Sequence, residues 1–162
     1  NEFRGVLYAG LILTADGIKT LEFNARFGDP EAQVVLPRLQ SDFVALALAA
    51  AKAGLADHPV LRWDPRACVG VVVASGGYPD EASMTLGSRI GGLAEMPPGV
   101  LIFHAGTRFQ PGLGLVTDGG RVVTSVALGD TVAEARQTAS RGARQVRFDG
   151  AFFRNDIARE AV

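Results

Sequence analysis

Cysteine is almost absent from this chain of 162 residues. Cys68 stands alone, so no internal disulfide and no cysteine-based metal cluster can form. Inside a valine-rich run it is expected to be a small buried apolar residue rather than a nucleophile. Histidine is nearly as scarce. His58 and His104 cannot build a metal centre by themselves. The first is expected on a surface linker, the second as a hydrogen-bonded structural residue beside Phe103. Neither sign of charge dominates: 16 basic residues face 17 acidic ones, for a net charge of -1. Nothing in that balance calls for nucleic acid or an anionic membrane as partner. The longest apolar helical run, Phe43 to Ala51, falls well short of the roughly 20 residues a membrane span needs. No charged-then-apolar leader opens the chain, and a cytoplasmic location is the expectation. An initiator methionine is missing as well, and Asn1-Glu2-Phe3-Arg4 runs at once into strand-like sequence, which reads as a piece of something longer. No phosphate-cradling glycine loop of the Walker type occurs, and Gly112-Leu113-Gly114 is read as a turn. Ser75, Ser83 and Ser125 lack an adjacent base, which leaves nucleophilic catalysis without support.

What is present describes an ordinary globular protein, 48% hydrophobic and 20% charged, long enough for a substantial core. Val6 to Thr14 and Ile18 to Asn24 read as two strands joined by Ala15-Asp16-Gly17, an Asp-Gly hairpin signal. The first is apolar on both faces and is expected to be central and buried. Glu31 to Leu39 is helical in composition, with Pro37 as a break. Ser41 is expected to cap a cleaner helix from about Asp42 to Ala53, stopped by Gly54. Leu55 to Arg66, with two prolines and little periodicity, contains the linker, set at 57–66. It separates residues 1–56 from a second part, 67–162. There, Ala67 to Ser75 and Val100 to Ala105 read as strands. Leu113 to Thr117 and Arg121 to Leu128 read as a hairpin across Asp118-Gly119-Gly120. Thr131 and Glu134 form a capping box for a helix to about Val146, with Val132, Ala135, Ala139, Ala143 and Val146 near one face. The fold class is α+β.

The densest polar cluster lies between Leu21 and Gln33. On a strand, Glu22 and Asn24 share one face while Leu21 and Phe23 share the other. A carboxylate and a carboxamide oxygen side by side suit a hard divalent cation such as magnesium. Arg26 can hold a carboxylate or phosphate with its planar fork. Asp29-Pro30-Glu31 has the grammar of a helix N-terminus, with Asp29 as cap.

This string resembles the end of an ATP-grasp catalytic domain, and Glu22-Phe23-Asn24-Ala25-Arg26-Phe27-Gly28-Asp29-Pro30-Glu31 is similar to the phosphoribosylamine–glycine ligase family. Arg4 to Leu11, Gly76-Gly77-Tyr78-Pro79, Phe103 to Thr107, Gly120 to Val123 with Ala127-Leu128-Gly129, and Phe153-Arg154-Asn155-Asp156-Ile157 fit it too, in order. Departures are local: Ala82 to Gly87 and Ser140 replace residues that often include tyrosine or a Lys-Gly pair. The resemblance implies the C-terminal end of an ATP-grasp domain, a hairpin plus helices, over 1–56. It implies a small mixed β/α domain of the barrel-sandwich or rudiment single hybrid type over 67–162. It further implies ATP as co-substrate, magnesium or manganese as cofactor, glycine and 5-phosphoribosylamine as substrates, and an N-terminal portion as partner, without which the chain is inactive. Glu22 and Asn24 would hold the metal. Arg26 would anchor glycine's carboxylate or the acyl phosphate and so act in catalysis. Gly28, Asp29 and Glu31 would be substrate-binding. Another ATP-grasp carboxylate–amine ligase, or a non-catalytic α+β assembly module, are the alternatives.

Overall fold

The computed structural model describes residues 2–161 and divides between Asp64 and Pro65 into two compact units. Each has its own architecture, a mixture of α-helix and β-sheet.

In the first unit, β1 (Tyr8–Thr14) and β2 (Gly17–Asn24) form an antiparallel hairpin. Its two-residue tip is Ala15-Asp16, with Thr14 paired to Gly17. The ladder is not regular: Gly10 pairs with Glu22 but Leu11 with Thr20, so Leu21 is an extra residue, a β-bulge. The expectation of a central, buried first strand fails. Among the described residues the hairpin is a sheet of two strands, and on β1 only Gly10 is buried. Leu11, Leu13, Ile18, Leu21 and Phe23 are all exposed. An apolar pattern buries a strand only when further strands or helices cover it, and two strands alone supply no such cover.

After the hairpin come a single helical turn, α1 (Ala32–Val35), and a tighter 3-10 turn over Leu36–Arg38 that accommodates Pro37 at its start. The second helix, α2 (Phe43–Ala51), is capped by Asp42, not Ser41. The Asp42 Oδ1 accepts from the Ala45 amide at 3.0 Å, whereas the Ser41 hydroxyl accepts from the Arg62 amide at 2.8 Å. Ser41 is thereby spent on holding the following segment. The Arg62 carbonyl accepts from the Gln40 amide and the Asp64 amide donates to the Arg38 carbonyl, while Leu39 bridges to Trp63. Gly54 ends α2 in an unforeseen way. Its amide reaches back to the Ala49 carbonyl at 2.8 Å, and the left-handed position falls on Ala53, at φ 58°.

The second unit is built on a three-stranded antiparallel sheet of order β3-β7-β4, comprising β3 (Ala67–Ala74), β7 (Arg121–Gly129) and β4 (Val100–His104). A separate ribbon pairs β5 (Thr107–Gln110) with β6 (Gly114–Thr117). The expected hairpin between Leu113–Thr117 and the next strand is therefore absent. Both edges of β7 are occupied, by β3 and β4, and the Asp118 amide bonds Gly106 while the Gly106 amide bonds Arg121, so the chain crosses over instead of folding back. β7 is buried from Val122 to Ala127, with Val122, Val123, Val126 and Ala127 in contact with almost no solvent.

The long helix α3 (Val132–Gln145) lies on this sheet through small residues, Ala135, Ala139, Gly142 and Ala143. Thr131 Oγ1 accepts from the Glu134 amide at 3.2 Å, and the Glu134 carboxylate reaches back to the Asp130 amide at 3.0 Å. The core gathers Val69, Val71 and Val73 from β3 with Val122, Val123 and Ala127 from β7, and closes with Ile90 and Val146. Each buried valine or isoleucine among them contributes roughly 1.5–3 kcal/mol. Cys68, expected buried, is half-buried, because it alternates with Val69 and Val71 onto the less covered face of β3. The aromatic tail is a working part of this unit. Phe152 exchanges two backbone bonds with Ala74, Phe148, Phe153 and Ile157 pack on the core, and Arg136 donates to the carbonyls of Ile157 and Asn155, each at 2.7 Å. Arg154 grips Asp156 with two bonds, at 2.9 and 2.6 Å, which holds the Asp156 carboxyl at about 2.

Candidate active-site edge

Strand register places four residues on one face at the open end of the hairpin. Tyr8 stands across from Asn24, and Gly10 stands across from Glu22. Cross-strand partners share a face, and so do residues two apart on one strand. Asn24 donates from Nδ2 to Glu22 Oε1 at 2.8 Å, so the carboxylate and the carboxamide lie side by side as their spacing requires. Glu22 is exposed and Asn24 is half-buried. Gly10 matters to this arrangement: a Cβ there would sit 3.1 Å from Glu22 Cγ and 3.6 Å from the Tyr8 ring. The missing side chain leaves room for the Glu22 side chain across the ladder.

The loop after β2 completes the cluster. Arg26 is exposed and donates from Nη1 to the Phe27 carbonyl at 2.7 Å. The Phe27 ring packs on Phe43, centroids 5.9 Å apart, which ties the loop to the start of α2. Gly28 is buried, and its carbonyl accepts from the Ala32 amide at 2.9 Å. Glu31 folds back over Gly28, where a Cβ would lie only 2.3 Å from Glu31 Oε2. Glu31 Oε1 accepts from the Tyr8 hydroxyl at 3.0 Å.

Asp29 does not cap the helix. Glu31 occupies the N-cap position, with no side-chain capping bond, and the Asp29 Oδ1 accepts instead from Gln33 Nε2 at 2.8 Å. The Asp29–Pro30 peptide is cis. His104 is exposed on β4 with Nδ1 3.1 Å from Thr107 Oγ1, a hydrogen-bonded residue as its sequence context suggests. His58 lies with Nδ1 2.8 Å from the Pro59 carbonyl.

Tyr8 is the residue that sequence reasoning missed. Its phenol is raised above its ordinary value of about 10. The hydrogen bond to Glu31 is the largest cause; desolvation and the negative charges of Glu31 and Glu22 add to it, and the positive charge of Arg26 opposes it. The Tyr8 hydroxyl is thus the point at which Glu22, Arg26 and Glu31 all make themselves felt. A protonated phenol is favoured in the folded state, so this contact is intact below the ordinary phenol value and is lost as pH rises through the raised one. A titration followed by phenolate absorbance is expected to show a component above the ordinary value that Tyr8→Phe removes and Glu31→Gln moves down.

The donor set decides what the edge can hold. Glu22 and Asn24 offer hard oxygen ligands, and among the described residues no group of three or more His, Cys, Asp or Glu could cage a metal ion. Two protein oxygens and no cage suit a small divalent cation whose remaining ligands are water and phosphate oxygens. Beside them Arg26 adds a planar cation.

Comparison with known proteins accords with this geometry. Residues 68–160 match the family model for phosphoribosylglycinamide synthetase, C domain, and residues 1–32 match that for phosphoribosylglycinamide synthetase, ATP-grasp (A) domain. The first match alone covers more than half of the chain, and the chain belongs to the phosphoribosylglycinamide synthetase family. It is 48% identical over its whole length to a phosphoribosylamine–glycine ligase of Vibrio vulnificus strain YJ016, and 46% identical to one of Halalkalibacterium halodurans. It spans only 37% and 36% of those relatives. The crystal structure of the phosphoribosylamine–glycine ligase of Thermotoga maritima superposes with a TM-score of 0.76 at 38% identity, covering 94% of this chain and 36% of that one. A single-chain long-chain acyl-CoA carboxylase shares the fold, with a TM-score of 0.59 at 19% identity over 93% of this chain and 17% of that one.

Proposed function

We propose that this chain supplies the metal-holding edge and the C-terminal domain of a phosphoribosylamine–glycine ligase. The observation that carries the reading is the single hairpin face on which Glu22, Asn24 and Tyr8 converge, with Arg26 and Glu31 brought to it by the next loop. Residues 1–56 are read as the end of the ATP-grasp domain, 57–66 as the join, and 67–162 as a small C-terminal domain of barrel-sandwich type. The family match over 68–160 and the division after Asp64 support a second domain that begins close to residue 67.

The reaction has two steps. The glycine carboxylate attacks the γ-phosphorus of ATP, forming glycyl phosphate and releasing ADP. The amine of 5-phosphoribosylamine then attacks the acyl carbon, and phosphate leaves with its bonding electron pair as the new amide forms. Negative charge accumulates in both steps, and fixed cations stabilise it where water is excluded. Glu22 and Asn24 would hold magnesium or manganese, which when bound neutralises phosphate oxygens. Arg26 anchors the carboxylate of glycine and, after transfer, the acyl phosphate. The nucleotide clamp would come from the part of the relatives that this chain does not span. The location is read as cytoplasmic, and no helix among the described residues is long and apolar enough to cross a membrane.

The test is glycine-dependent release of ADP in the presence of phosphoribosylamine by the full-length protein that carries this chain. Release driven by another carboxylate but not by glycine would replace this reading with that of a different carboxylate–amine ligase.

A further inference from the structure

The Tyr8–Glu31 contact has features that a surface hydrogen bond does not need. It joins residues 23 positions apart, between the hairpin and the loop that follows it. Both residues are half-buried, Tyr8 between the exposed Leu7 and Ala9. Space has been kept for it at Gly28, where a side chain would overlap the Glu31 carboxylate. Glu31 is thereby fixed in the same small neighbourhood as Arg26 and Glu22, all three within electrostatic reach of one hydroxyl.

We propose that Tyr8 is a positioning residue for Glu31, and that the carboxylate so held binds the amino group of the amino-acid substrate while Arg26 takes its carboxylate. This rests on the ligase reading above. The chemistry matches a zwitterion: a guanidinium for the carboxylate end, a fixed anion for the ammonium end. Asp29, the nearer candidate in sequence, is less suited, because it is exposed and its Oδ1 is bonded to Gln33 on the helical turn that follows it, whereas Tyr8 ties Glu31 to the hairpin. A long carboxylate side chain left free would sample many rotamers. The Tyr8 hydroxyl on one oxygen, and the bare Gly28 backbone beneath the other, select one of them. Tyr8 itself touches no substrate in this scheme; it acts through Glu31.

The experiment uses the full-length enzyme with Tyr8→Phe, Glu31→Gln, the pair combined, and Gly28→Ala as an independent way to displace the carboxylate. Glycolate, which keeps glycine's carboxylate but carries a hydroxyl in place of the ammonium, serves as a competitive probe. Glu31→Gln is expected to raise KM for glycine about tenfold or more, the loss of the negative charge that strengthens its hydrogen bond to the ammonium. Inhibition by glycolate and KM for ATP should stay within about twofold, since the glycolate hydroxyl brings no positive charge to the ammonium site and ATP does not enter it. Tyr8→Phe should raise KM for glycine several-fold, Gly28→Ala should do likewise, and the Tyr8→Phe/Glu31→Gln protein should be no worse than Glu31→Gln alone. Equal shifts for glycine and glycolate, an ATP KM that moves in step, or additive effects of the two substitutions would overturn the assignment. So would a normal glycine KM in Tyr8→Phe. A wild-type enzyme that ignores glycine altogether would instead defeat the ligase reading, so the two failures are distinct.

Discussion

Glu22→Ala in the full-length protein is expected to abolish turnover, lowering kcat by about a thousandfold or more, while the melting transition stays where it was. A thousandfold loss corresponds to roughly 4 kcal/mol of transition-state stabilisation, the scale at which removal of one preorganised charge-stabilising group acts. The reason is the small number of ligands. Glu22 and Asn24 are the two oxygen donors of the β2 side chains on this face, and Glu22 is the one of them that carries charge, while the Glu31 carboxylate is bonded to Tyr8. No neighbouring carboxylate stands ready on β1, where the facing residue is Gly10. Stability should be spared because Glu22 is exposed and its side chain bonds only with Asn24 among the described residues. Glu22→Gln separates charge from shape: it keeps the acceptor oxygen for Asn24 and should be nearly as inactive as Glu22→Ala. Full activity in either variant, measured as glycine-dependent ADP release, would remove Glu22 from the proposed metal site.

Gly92→Ala is expected to be the most damaging single-methyl change in the second unit, lowering its stability by about 3 kcal/mol or more. Gly92 has φ 84°, a left-handed conformation that costs an L-residue roughly 1–2 kcal/mol. A Cβ there would also fall 1.8 Å from the Gln145 carbonyl oxygen, at the end of α3. That oxygen belongs to the backbone, so no side-chain rotation relieves the overlap, and overpacking of this kind adds about 1–3 kcal/mol. The segment cannot simply move away. Gly91 and Arg147 exchange two backbone bonds at 2.8 and 3.1 Å, and Ile90 is in the core. For a unit of this size the change should lower the melting temperature by at least about 10 °C, read by calorimetry or circular dichroism. A shift of only a few degrees would mean that the end of α3 yields easily.

Much of the fold was legible because local signals agreed with the global structure. The Asp-Gly turn gave the first hairpin, Pro37 its helix break, and Thr131 with Glu134 the start of α3. The small-residue face of that helix, Ala135, Ala139 and Ala143, is the face that is buried. The failures share a physical cause: local sequence cannot say which partner a strand will choose. Thr107–Gln110 is too polar and short to stand out, yet it is β5, and its pairing takes β6 away from β7. Likewise Ser41 and Asp42 both suit a cap, and the Arg62 amide, far along the chain, decides between them. At the site, Glu22 and Asn24 follow from period two alone. Tyr8 does not. Counted back from the Thr14–Gly17 pair, a regular ladder would put Tyr8 across from Phe23; the bulge at Leu21 shifts it to Asn24.

That extra residue gives the hairpin two independent phases. Side chains on an unbroken strand alternate from tip to base, so the pattern at one end dictates the pattern at the other. Here the alternation is reset at Leu21, and Thr20 and Glu22 point to opposite faces although they are two apart. Selection acting on the outer half, which carries Leu13, Ile18 and Lys19, therefore places no demand on which way the half with Glu22 and Asn24 must point. The ends of one short hairpin can drift separately in sequence, and comparison of tip with base across relatives should show two rates of change rather than one.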